Sequence, residues 1–158
     1  MKNKVIIFLI AVSAASISAS SFAITMADKD KMQSLINESK PYVAGMGKSV
    51  DEVCQDMAND MVKKYGVKLS SLGKTPSDIR DSVSGICLDA SVSAESSQSM
   101  DEVLMWKNSA MKNIEHTFHG HNNDSPSKAF LSETVDHSAK LAKTIAFMME
   151  LSKKYDIK

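Results

Sequence analysis

Ser49–Gly66 reads SVDEVCQDMANDMVKKYG, and this stretch decides the fold class. Ser49 and Glu52 match the capping box, in which each side chain bonds the other residue's free backbone N–H at a helix start. Val50, Val53, Cys54, Met57, Met61, Val62 and Tyr65 then recur at three- and four-residue intervals, which places them on one side of a helix. Gly66 stands where a helix commonly ends. The spacing therefore predicts an amphipathic helix with a defined start and stop.

Similar punctuation continues on both sides. Upstream, Met32, Leu35 and Ile36 fall on one side of a helix predicted near Asp28 to Ser39, which Pro41 ends or kinks before a turn at Gly45 and Gly47. Downstream, Thr75-Pro76 offers a cap followed by proline at the first helical position, where its missing N–H costs nothing. Ile79, Val83, Ile86, Cys87 and Ala90 form that helix's apolar row. Ser91–Ser99 (SVSAESSQS) reads as the most loop-like part of the interior.

Ser99 and Glu102 then repeat the capping box. They precede a row of Met100, Val103, Leu104, Trp106, Met111, Ile114 and Phe118, with an end expected at Gly120. A last helix starts at Ser125-Pro126 and runs to about Lys154, long enough to expect an internal break. Its inner face reads Phe130, Leu131, Val135, Leu141, Ile145, Met148 and Met149. SVDEV at Ser49 and SMDEV at Ser99 lie 50 residues apart, but the likeness fades after the cap and reads as one start signal used twice. Scarce proline and glycine, with rare β-branched runs, favour helix over strand. The expected fold is an all-α, single-domain bundle of four to five helices, closed by short turns.

The N-terminus reads as a secretory signal over residues 1–23. Lys2 and Lys4 precede the apolar run Val5–Ala15, and Ser21-Phe22-Ala23 places small residues at the two positions that guide cleavage. The run is shorter than the roughly 20 residues that cross a bilayer. Cleavage near Ala23 leaves a helical domain over residues 24–158, periplasmic or secreted, with no later segment apolar enough for stable membrane insertion. The short signal and the lysine-rich composition point to a bacterial source, which discounts the glycosylation pattern at Asn37-Glu38-Ser39.

Charge narrows the partners. The signal holds two of the 19 basic residues and none of the 19 acidic ones, so the mature chain carries a net charge of −2. Nucleic acid, whose phosphates dominate affinity, is not an expected partner. Arg80 is the single arginine, so the planar fork that grips anions bidentately is nearly absent.

Cys54 and Cys87 are the only cysteines, and both fall on the apolar rows of consecutive predicted helices. In an oxidising compartment this predicts a structural Cys54–Cys87 disulfide. His116, His119 and His121, followed by Asp124, are the only ligand-like cluster. Imidazoles at i and i+3 share a helix face and suit zinc, copper or nickel. Histidines at a helix C-terminus also serve the dipole and the last carbonyls unaided, which is the reading taken, with no metal or other cofactor expected. His137 lies in line with Phe130, Leu141 and Met148 and reads as a hydrogen-bonded core residue. Met57, Met61, Met111, Met148 and Met149 stand at core spacing and read as packing.

No nucleophile elbow, HExxH pair or phosphate-binding loop is present, and the acidic pairs Asp51-Glu52 and Asp101-Glu102 occupy helix starts, where negative charge suits the dipole. The expected function is non-enzymatic: binding another exported protein, as chaperone, inhibitor or immunity factor. The alternatives are transition-metal binding at His116, His119 and His121, and a hydrolase with dispersed catalytic residues. In class and cysteine usage the chain is similar to small exported bacterial helical proteins such as periplasmic acid-stress chaperones and immunity proteins, with no motif in common.

Overall fold

The structure, a computed structural model, describes residues 24–45, 47–119 and 125–156; the signal-like segment lies outside them. The described residues form five helices and no strand: α1 (Met26–Ser39), α2 (Val50–Ser70), α3 (Pro76–Ser97), α4 (Met100–Thr117) and α5 (Ser125–Lys154). None is long and apolar enough to cross a membrane.

The caps explain the starts. Full capping boxes open α2, between Ser49 and Glu52, and α3, between Thr75 and Asp78. At α4 only the Ser99 half is made, a long 3.5 Å bond from the Glu102 N–H. Two ends differ from the sequence expectation. Helix α2 runs through Gly66 to Ser70, because continuing buries Leu69 beside Tyr65. The turn falls instead at Gly73, whose φ of +76° suits glycine. Helix α3 likewise absorbs the serine-rich segment through Ser97, since Ser91 and Ala94 stay on its buried face and the Ser91 hydroxyl donates to the Cys87 carbonyl. Gly45 and Gly47, both with positive φ, make the expected turn after α1.

Helix α5 is the axis. It is unbroken over 30 residues and contacts every other helix. Burial on several sides is possible because Ser138, Ala139, Ala142 and Ala146 are small. Its buried hydroxyls are satisfied: Thr134 donates to the Phe130 carbonyl, and Thr144 is within reach of the Leu35 and Lys140 carbonyls. Helices α2 and α4 flank the central α3–α5 pair without touching each other, and α1 lies against α5 alone.

The main core joins Met57, Met61, Leu69, Ile79, Val83, Val103 and Leu141, each 2% exposed or less. Each such side chain contributes roughly 1.5–3 kcal/mol relative to exposure. A smaller cluster packs Met32 and Leu35 of α1 on Phe147 and Leu151. The Cys54–Cys87 disulfide is formed and buried, with Cα atoms 5.7 Å apart, and it ties α2 to α3. Closing a separation of 33 residues stabilises the fold by about 3.5–4 kcal/mol on the chain-entropy account.

Candidate functional site

The histidines separate. His116 lies in the last turn of α4 and His119 just beyond it, both exposed, with the His119 N–H reaching the His116 carbonyl at 3.4 Å. His121 and Asp124 lie outside the described residues. Among the described residues no group of three His, Cys, Asp or Glu side chains is placed to hold a metal ion.

His137 belongs to a different environment, between α5, α2 and the loop after α1. Its Nε2 is 3.4 Å from Glu133 Oε1, and its ring meets the Tyr42 ring edge-on with centroids 5.1 Å apart. Its Nδ1 is buried without a hydrogen-bond partner. Glu133 also receives the Lys64 ammonium at 2.6 Å and the Tyr65 hydroxyl at 2.6 Å. Burial opposes the charge on Glu133, but the hydrogen bonds from Lys64 and Tyr65 outweigh it and hold the carboxyl below its ordinary value. The same arrangement, burial first and Glu133 second, pushes the Tyr65 hydroxyl up to about 12. Tyr42 is raised to about 12 by burial and by Asp60, to which it donates. The partners of His137 among the described residues are thus the Glu133 carboxylate and the Tyr42 ring. The network fastens the loop and α2 onto α5.

A concave feature with apolar lining lies elsewhere, between α3 and α4. A groove of about 330 Å³ is floored by Leu131 and Val135 of α5. Helix α3 supplies Ile86 and Asp89; α4 supplies Trp106, Ser109, Ala110, Asn113 and Ile114. The Trp106 indole N–H donates to Asp89 Oδ2 at 2.7 Å, a link between the two walls. The groove exists because α4 is only lightly seated: Val103 and Ile114 alone are buried on it. Leu104, expected on its inner row, is 44% exposed, while Met111 and Trp106 are half-buried. Ion pairs hold the helix instead, Lys107 to Asp136 at 2.5 Å and Glu115 to Lys128 at 2.6 Å.

Two further properties mark helices α3 and α4. Of the seven large hydrophobic side chains exposed among the described residues, four are on α3 and α4: Leu88, Val92, Leu104 and Met105, the last 64% exposed. The hairpin is also acidic. Between Pro76 and Thr117, Asp78, Asp81, Asp89, Glu95, Asp101, Glu102 and Glu115 face three basic residues, Arg80, Lys107 and Lys112, a net charge of −4. All seven acidic side chains are exposed, and Asp81, Glu95, Asp101 and Glu102 make no ion pair among the described residues. Residues 24–75 and 118–158 together are net positive, at +2.

Scans against protein-family models, curated proteins and solved structures find nothing that matches this chain.

Proposed function

We propose that the protein is exported, loses residues 1–23, and acts in the periplasm by binding another protein, as a chaperone, inhibitor or immunity factor. The observation that carries this reading is the open apolar groove between α3 and α4, with Trp106 in its wall. Tryptophan in a partly covered pocket is the residue type on which protein contacts most often concentrate their affinity. The charged n-region, the apolar run and Ala23 support export. The buried disulfide fits an oxidising compartment.

The test is affinity capture from the exported fraction, with wild type beside Ala110→Phe, which adds a ring inside the groove. Helical circular dichroism and melting temperature check that the variant is folded. A discrete partner retained by wild type and lost from Ala110→Phe is the expected result. No partner on wild type, or equal recovery on both, would overturn the reading.

A further inference from the structure

We propose that the α3–α4 groove receives one amphipathic helix of a protein partner, whose apolar side chains enter over Leu131 and Val135 and whose lysine or arginine meets Asp89. This rests on the protein-binding reading and names the chemistry of the partner.

The shape argues for a helix. The α4 wall runs from Trp106 to Ile114, about 12 Å at 1.5 Å per residue, which matches a little over two turns of an apposed helix. Two turns present anchors at i, i+3 or i+4, and i+7, the usual pattern when a helix lies in an apolar groove. Ile86, Ile114, Leu131 and Val135 supply the apolar surface for such anchors.

The charge argues for a cationic one. Asp89 Oδ2 is taken by Trp106, which fixes the carboxylate at the lip, and Oδ1 has no donor among the described residues. The hairpin around it carries a net charge of −4. That field steers a basic segment inward and opposes phosphate-rich surfaces, so neither nucleic acid nor an anionic bilayer fits the same exposed apolar side chains. An acidic helix is repelled for the same reason.

Trp106 is the only tryptophan in the chain, so its fluorescence reports occupancy of the groove directly. The exported protein is titrated with two synthetic 18-residue amphipathic helical peptides, one of leucine and lysine, the other of leucine and glutamate. The lysine peptide is expected to shift Trp106 emission and to bind at least about ten-fold more tightly than the glutamate peptide, with the difference shrinking in salt. Asp89→Asn keeps an acceptor for the indole and removes only the charge. It is expected to weaken the lysine peptide about two- to five-fold, as for a partly exposed ion pair, with unchanged helical circular dichroism. Equal binding of the two peptides, no response of Trp106 to either, or a response that survives unchanged in Ala110→Phe would overturn the proposal. Groove-dependent capture of a partner stands or falls independently of these titrations, which separates failure of the partner chemistry from failure of the binding reading.

Discussion

Gln98 ends α3 with a left-handed backbone, φ 52°, while its N–H donates to the Ala94 carbonyl. A side chain in that region crowds its own carbonyl, and glycine is the usual occupant of such a helix end. Gln98→Gly is therefore expected to raise the unfolding free energy by about 0.5–1 kcal/mol, the relief exceeding glycine's extra freedom in the unfolded chain. Denaturant titration checks this; a loss of stability would contradict it. Gln98 went unremarked in the sequence because the stretch around it is rich in serine and reads as loop. Other residues were legible from chemistry alone. Cys54 and Cys87 had a compartment, an even count and two inward rows in their favour. Trp106 and Leu104 were harder, because helical spacing identifies a face without saying how deeply a neighbouring helix covers it.

At the scale of elements, starts were more legible than ends. A cap is a local exchange of hydrogen bonds, so Ser49 and Thr75 announce α2 and α3 without help from the rest of the fold. Ends are decided by burial elsewhere: Leu69 draws α2 past Gly66, and Ala94 draws α3 through Ser97. No local signal linked α1 to its site. Among the helices it contacts α5 alone, and its N-terminus is held by Asp28, which accepts from Lys154 at 2.8 Å and Tyr155 at 2.6 Å. The Lys154 bond, then those from Tyr155 and Thr25, lower the Asp28 carboxyl from 3.8 to about 2. A depressed carboxyl stabilises the fold above its unfolded value and loses that contribution as the pH falls through its folded one. Asp28→Asn is thus expected to melt below wild type at pH 5, with the gap closing as the pH falls through about 2. Thermal melts of both proteins across that range check it, and a gap that does not change with pH would contradict it.

For the whole molecule, rigidity and openness fall in different places. The disulfide and the main core lock α2, α3 and α5 together, whereas α4 is fastened by two buried side chains and a pair of ion pairs. The opening between α3 and α4 follows from that unequal seating, and it uses residues from three helices. The sequence assigned Leu131 and Val135 to a core face and Trp106 to another, which is sound one helix at a time; the groove arises only from their juxtaposition. The acidity of the hairpin was equally hidden, since a net charge of −2 over residues 24–158 conceals −4 between Pro76 and Thr117. On the proposed function, this hairpin is where the protein meets its partner. A photo-crosslinking amino acid is placed, one position at a time, at exposed sites around the bundle in cells that produce the protein: Met26 on α1, Val67 on α2, Val92 on α3, and Met105 and Ser109 on α4. A discrete protein adduct is expected from Met105 and Ser109, a weaker one from Val92, and none from Met26 or Val67. Adducts formed only at Met26 or Val67, or at none of the five positions, would contradict it.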